Sequence, residues 1–81
     1  MEKEQVIAEV NIIFTYVLDN PDLVISRTTS AADVEEWDSL THIQLIVAIE
    51  KRFKIKFTAA EIHTWKDVGQ MVDSIHQRLH A

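Results

Sequence analysis

The stretch Trp37-Asp38-Ser39-Leu40-Thr41-His42-Ile43 lies between a polar segment and the most apolar helix-like run of the chain. Asp38 is a strong helix N-cap residue, which predicts that Ser39 occupies the first helical position with its side chain directed outward. A helix N-terminus carries unpaired N–H groups and a partial positive charge, so it would accommodate a phosphate esterified to Ser39. From these residues alone, an ordinary capping role for the serine is the simpler interpretation.

Composition restricts the classes of fold and function. The 81 residues include 47% hydrophobic residues, one Gly, one Pro and no Cys, so we expect one small all-helical domain over residues 1–81. The net charge of −5 argues against a nucleic-acid partner and favours basic or mixed-charge protein partners. Without Cys there is no disulfide or thiolate site, which fits a reducing compartment. No apolar run approaches membrane-spanning length, so we expect a cytoplasmic protein without membrane insertion.

The first half of the chain is predicted to be a helix followed by a long loop. One-faced helical spacing of apolar residues runs from about Glu2 to Leu18, and Asn20-Pro21 ends this helix. The loop from Asp19 to Glu36 is long for so small a domain, and such loops tend to carry function or recognition. A short helical turn is expected around Ala31 to Glu35. The expected apolar anchors of the loop are Leu23, Val24 and Ile25.

The second helix is predicted from Ser39 to about Phe53 and has two apolar arcs. His42 lies on the core arc, where a packed, hydrogen-bonded imidazole is expected. The apolar residues of the core arc are Leu45, Ile46, Ile49 and Phe53. The second arc comprises Leu40, Ile43 and Val47, bordered by Gln44 and Lys51 on one side and Glu50 on the other. Either this helix is buried on most sides or its second arc is a docking surface.

The second half of the chain carries two further helix starts. Residues 53–57 alternate like a strand but have no partner strand, so we expect an extended connector with two or three inward side chains. Thr58-Ala59-Ala60-Glu61 is a capping box that begins a short helix ending near His63. Thr64-Trp65-Lys66-Asp67 is a second capping-box candidate that opens the final helix. The predicted buried face of that helix is Val68, Met71, Val72, Ile75 and Leu79. The predicted fold is a small four-helix bundle of three longer helices and one short helix.

The residues that could carry chemistry do not form a catalytic or metal site. His76 and His80 have helical i, i+4 spacing but no third ligand on the same face. Ser39 has no plausible triad, because His42 is expected to point toward the core. Trp37 either packs the loop against the bundle or contacts a partner. We therefore expect no catalytic residue and no metal ligand, and a protein that other enzymes act upon.

At Asp38-Ser39-Leu40 the chain resembles the acyl carrier proteins, whose superfamily also serves polyketide and peptide synthetases. Asp-Ser-Leu alone is a weak signal, but here it stands at a loop-to-helix junction with the family's spacing around it. The similarity extends over nearly the whole chain: first helix, long loop, second helix, connector and closing helices. On this resemblance the chain is a discrete, stand-alone carrier, and Ser39 has a functional role beyond capping.

The resemblance implies that Ser39 accepts a 4′-phosphopantetheine arm from coenzyme A, transferred by a separate Mg²⁺-dependent phosphopantetheinyl transferase. The thiol of the arm would hold acyl groups as thioesters, and Asp38 would help to engage the transferase. Acyl-loading and acyl-transferring enzymes would dock on the second-helix surface, defined as Leu40, Ile43, Gln44, Val47 and Glu50. An acyl chain would retreat among the core-facing residues Leu45, Ile46 and Ile49. Since a carrier visits several enzymes by diffusion, we expect a monomer with transient contacts.

Two departures from the family pattern argue against housekeeping fatty acid biosynthesis. Carriers of that pathway usually have Gly two residues before the Asp, where this chain has Glu36. They also carry acidic residues at three positions where this chain has Thr41, Gln44 and Lys51. Trp-Asp-Ser-Leu-Thr-His looks more like discrete carriers of specialised lipid, polyketide or polysaccharide-modification pathways.

Two other classes of function compete with a carrier. One is an interaction or adaptor module that keeps the bundle and docks partners through the second helix without being modified. The other is a small hydrolase that uses Ser39 as its nucleophile, for which no base is placed. The intact Asp38-Ser39 pair favours the carrier over the adaptor.

Overall fold

The computed structural model describes residues 2–80 and contains helices close to the predicted positions. Helix α1 spans Lys3–Val17, α2 spans Ser39–Phe53, α3 spans Ala59–His63 and α4 spans Val68–Leu79, with a 3₁₀ turn at Ala31–Asp33. Within the described range no residue is in a β-strand. The predicted all-helical bundle of three longer helices and one short helix is therefore confirmed. None of these helices is long and apolar enough to cross a membrane.

Helix α1 packs against both α2 and α4, and the core lies between these three helices. The buried face of α1 consists of Val6, Val10 and Phe14. From α2 the whole predicted core arc is buried: Leu45, Ile46, Ile49 and Phe53. From α4 the buried apolar residues are Val68, Met71, Val72 and Ile75, with Leu79 partly buried. The spacing that predicted each helix thus also identified its buried face, because both depend on the same period.

Hydrogen bonds to α1 hold the middle of the long loop. Asn11 accepts a hydrogen bond from Ile25 N–H at 2.7 Å and donates one to the Leu23 carbonyl at 3.3 Å. Ile25 is buried and Leu23 packs against the core, as expected. Val24 is 83% exposed, so its prediction as an anchor was wrong. In an extended segment, consecutive side chains point in opposite directions, and the burial of Ile25 turns Val24 outward.

The same loop also supplies hydrogen-bond acceptors to the start of α4. Val68 N–H donates to the Thr29 carbonyl at 2.8 Å, and Gly69 N–H donates to the Arg27 carbonyl at 2.7 Å. These are amides of the first helical turn, which have no partner within their own helix. The loop therefore has a structural role in addition to leading the chain to α2.

The start of α4 differs from the predicted capping box, which was wrong. Asp67 is the N-cap residue, and its carboxylate accepts a hydrogen bond from Gln70 N–H at 3.0 Å. Thr64 instead ends α3, where its hydroxyl donates to the Glu61 carbonyl at 2.6 Å. The loop carbonyls of Arg27 and Thr29 bind the amides of Gly69 and Val68, the two residues that follow Asp67, so local and tertiary contacts both place the start of α4 at Asp67.

The first capping box and the connector are confirmed. The Thr58 hydroxyl accepts from Glu61 N–H at 3.2 Å, and the Glu61 carboxylate accepts from Thr58 N–H at 3.1 Å. Within the connector 53–57, Phe53 is buried, and Ile55 and Phe57 are partly buried against the core. Lys54 ends α2 in the left-handed conformation with φ of 58°, a place that glycine usually takes.

We expect Gly69→Ala to destabilise the protein. The added methyl group would lie 2.8 Å from the Arg27 carbonyl oxygen, and that oxygen cannot retreat without weakening its hydrogen bond with Gly69 N–H. The free energy of unfolding, measured by urea denaturation, should fall by about 1–3 kcal/mol, although Ala is the better helix former.

Gln77→Ala is the control, because Gln77 is exposed on the same helix and its truncation should leave stability nearly unchanged. If Gly69→Ala were as stable as the wild type, the close approach of the loop to α4 would be contradicted.

Candidate functional site

Asp38 caps the N-terminus of α2, as predicted. Its Oδ1 accepts hydrogen bonds from Leu40 N–H at 3.0 Å and from Thr41 N–H at 2.9 Å. In return, the Thr41 hydroxyl accepts from Asp38 N–H at 2.8 Å, which completes a capping box with Thr in place of the usual Glu or Gln. The hydrogen bond from Thr41 N–H, with a smaller contribution from Leu40 N–H, holds the pKa of Asp38 below its ordinary value. The carboxylate is therefore ionised at neutral pH.

Ser39 is the first residue of α2, and its side chain is exposed. No group within residues 2–80 forms a hydrogen bond with its hydroxyl or with its backbone N–H. The next two amides, of Leu40 and Thr41, already bind Asp38. Of the amides expected to face a phosphate at this helix end, the Ser39 N–H is thus the one still available.

Trp37 packs the end of the loop beneath the start of α2. The side chain is 7% exposed, and its ring meets Phe14 edge-on with centroids 5.0 Å apart. The indole N–H donates to His42 Nδ1 at 3.0 Å, which confirms that His42 is packed and hydrogen-bonded. Because Nδ1 is the acceptor, the neutral imidazole carries its proton on Nε2. Burial lowers the pKa of His42.

A pocket of about 350 Å³ lies beside Ser39. Its lining comes from the start of α2, from the residue Ala31 in the long loop and from the loop between α3 and α4. The lining residues are Ala31, Trp37, Asp38, Ser39, His42, Trp65, Lys66 and Asp67. Sequence reasoning missed the contribution of Trp65, Lys66 and Asp67, since no local pattern connects them with Ser39. The buried core-arc residues Leu45, Ile46 and Ile49 do not line this pocket.

The apolar part of the second-helix surface is exposed: Leu40 by 66%, Ile43 by 61% and Val47 by 44%. Gln44 is exposed beside them. Glu50 is partly buried, and its carboxylate accepts a hydrogen bond from Phe57 N–H at 2.9 Å. Glu50 therefore also holds the connector 53–57 against α2, a structural role that the sequence pattern did not indicate.

Among residues 2–80, the geometry around Ser39 and the histidines provides neither a catalytic triad nor a set of metal ligands. His42 Nδ1 is occupied by the Trp37 indole, and the imidazole forms no hydrogen bond with the Ser39 hydroxyl, so a triad is not assembled. The rings of His76 and His80 are in contact, with centroids 4.3 Å apart and planes tilted by 38°. Within residues 2–80, no group of three or more His, Cys, Asp or Glu side chains is placed to hold a metal ion.

Comparison with known proteins identifies the class. The family described as the phosphopantetheine attachment site matches residues 13–75, and the chain belongs to this family. Its fold is similar to the solution structure of the holo acyl carrier protein from Geobacter metallireducens. The two chains are 39% identical and superpose with a TM-score of 0.89, and the match covers 93% of this chain and 86% of that one. A comparison with curated protein sequences gives no match.

The protein is therefore an acyl carrier protein, as the resemblance at Asp38-Ser39-Leu40 predicted. It is a non-catalytic carrier, and its prosthetic group is 4′-phosphopantetheine. The family implies that a phosphopantetheinyl transferase and acyl-handling enzymes are its partners.

We expect the fold to weaken at mildly acidic pH because of His42. Burial holds its pKa below the ordinary value of 6.5, so as the pH falls the unfolded chain binds a proton at His42 before the folded protein does. The stability contributed by neutral His42 is fully present above about pH 6.5 and is lost as the pH falls toward the folded-state pKa.

Urea denaturation between about pH 7.5 and pH 5.5 should show this loss in the wild type and a smaller one in His42→Gln. The Gln side chain can still accept the Trp37 hydrogen bond but does not titrate. Equal losses in the two proteins would exclude His42 as the cause.

Proposed function

We propose that Ser39 is the attachment residue of the 4′-phosphopantetheine arm. The observation that carries this proposal is a difference among the four serines of the chain. Ser26 bonds with the hydroxyls of Thr28 and Thr29, Ser30 donates to Asp33, and Ser74 accepts from the Trp65 indole. The Ser39 hydroxyl is exposed and, within residues 2–80, bonds with no other group.

The surroundings of Ser39 fit a phosphodiester and the start of an arm. The Ser39 N–H has no partner among the described residues, so it can donate to a phosphate oxygen. The adjoining pocket of about 350 Å³ has Trp37 and Trp65 among its lining residues, and aromatic residues suit the apolar parts of pantetheine. The residues around Ser39 therefore match the group that the family carries.

Attachment transfers a phosphopantetheinyl group from coenzyme A. The Ser39 oxygen forms a bond to the phosphorus that bears pantetheine, the P–O–P bond of coenzyme A breaks, and adenosine bisphosphate leaves. The hydroxyl proton passes to a base on the transferase, because no base of residues 2–80 bonds with the Ser39 hydroxyl. Asp38 presents its carboxylate next to the serine, and we propose that the transferase recognises it there. Once attached, the arm holds acyl groups as thioesters on its terminal thiol.

Partner enzymes dock, in this proposal, on the second-helix surface. Its apolar members Leu40, Ile43 and Val47 are exposed on α2, the helix that begins with Ser39. A patch of this kind beside the arm would place the partner's active site near the thioester. Gln44 and Glu50 border the patch and would provide the polar rim.

The charges on α2 support a specialised pathway over housekeeping fatty acid biosynthesis. Thr41 has a hydroxyl turned into the cap of α2, and Gln44 and Lys51 add no negative charge to the exposed part of this helix. Partners of this carrier would depend less on basic patches and more on apolar contact. We propose a lipid, polyketide or polysaccharide-modification pathway, with the carrier acting as a monomer.

Attachment at Ser39 predicts one added phosphopantetheinyl group on the wild type and none on Ser39→Ala. The protein is incubated with coenzyme A, Mg²⁺ and a broad-specificity phosphopantetheinyl transferase, and its intact mass is measured. Ser30→Ala is the matched control and should be modified like the wild type.

Circular dichroism checks that each variant is folded. Modification of folded Ser39→Ala would place the arm on another residue, and an unmodified wild type would favour the adaptor function instead.

Docking through α2 predicts that Ile43→Asp slows modification by the transferase. Placing a charge in the centre of an apolar contact should lower kcat/KM on the order of tenfold. Ile12→Asp is the matched control, because Ile12 on α1 and Ile43 on α2 are both 61% exposed. It should leave kcat/KM within about twofold of the wild type, since scattered surface residues contribute little to a distant contact. Equal losses in the two variants would show that the transferase does not dock specifically on α2.

A further inference from the structure

One of the residues that line the pocket beside Ser39 is cationic, and the proposed function gives it no role. Lys66 is the one Lys or Arg among the lining residues, all of which lie in the described part of the chain. Four ion pairs are formed within residues 2–80, by Lys3, Arg27, Arg52 and Arg78, and Lys66 takes part in none of them. The Lys66 side chain is exposed, so its ammonium group is available to an anion in the pocket.

Contacts with α4 and with Phe57 hold the chain at Trp65 and Lys66 in place. Lys66 N–H donates to the Gln70 side chain at 2.7 Å, which joins it to the first turn of α4. The preceding Trp65 donates its indole N–H to the Ser74 hydroxyl at 2.8 Å, and its ring meets Phe57 edge-on with centroids 4.9 Å apart. These contacts hold the Lys66 backbone at the edge of the pocket, from which its exposed side chain extends.

A positive charge near Ser39 would further stabilise a phosphodiester attached there. The Asp38 carboxylate already takes the amides of Leu40 and Thr41 and places a negative charge at the same helix end. Asp67 also lines the pocket, and its carboxylate caps the N-terminus of α4 through Gln70 N–H. Nearby carboxylates repel a new anion, and a cation that approaches the anion offsets this repulsion.

We propose that Lys66 is the counter-ion of the phosphodiester on Ser39. The ammonium group pairs with a phosphate oxygen across the pocket, and the first part of the arm lies against Trp65. This pairing rests on the proposed attachment of the arm at Ser39. It gives the loop between α3 and α4 a direct contact with the prosthetic group.

The first test measures the reactivity of Lys66 in the apo and holo proteins. Each form is treated briefly with an amine-acylating reagent, and the rate at each lysine is read by peptide mass spectrometry. Pairing with the phosphodiester should slow acylation of Lys66 by about twofold in the holo protein, the effect of an exposed ion pair. Lys56, exposed in the connector 53–57, is the internal control and should keep its rate. High salt should remove the difference at Lys66.

The second test follows the phosphorus atom itself. The ³¹P resonance of the holo protein should move in Lys66→Gln and stay in place in Lys56→Gln. Equal acylation of Lys66 in both forms, or an unmoved ³¹P resonance in Lys66→Gln, would overturn the pairing while leaving attachment at Ser39 intact. If intact mass shows no arm on Ser39, both the attachment and the pairing are overturned, so the two failures are distinguished.

Discussion

The hydrogen bond from the Trp37 indole to His42 joins the end of the long loop to the first turns of α2. Trp37 also packs on Phe14, which ties this junction to α1. Two residues beyond the buried tryptophan, Ser39 is exposed at the start of the helix. The buried indole therefore holds the helix start that carries the exposed Ser39 hydroxyl, and the attachment proposed at Ser39 would benefit from a backbone held in this way.

The electrostatics of this helix start follow from the Asp38 cap. A free helix N-terminus would offer several amides to an anion, but Asp38 uses two of them and brings its own negative charge. The site therefore combines a partly compensated helix dipole with nearby carboxylates, in a protein of net charge −5. In these acidic surroundings, Lys66 would change the electrostatic energy of a phosphate on Ser39 more than one lysine among many would in a basic site.

Local signals predicted the helices because each signal depends on residues close together in the chain. Asp38 and Thr58 bind amides within three residues of themselves, and apolar spacing identified the buried faces of α1, α2 and α4. The prediction failed at the start of α4, where Asp67 and not Thr64 is the N-cap residue. Loop carbonyls at Arg27 and Thr29 bind the first two amides of this helix, and no local pattern contains that contact.

The sequence by itself determined the order of the helices, the cap at Asp38 and the outward position of Ser39, because these follow from spacing along single elements. It left open whether Leu40, Ile43 and Val47 are buried or exposed. The tertiary structure decided that they are exposed, since α2 packs against α1 and buries its other apolar arc in the core. The tertiary structure also forms the pocket beside Ser39. The loop with Trp65 and Lys66 meets the start of α2 only through the packing of distant segments, and periodicity along one helix carries no information about which loops come together.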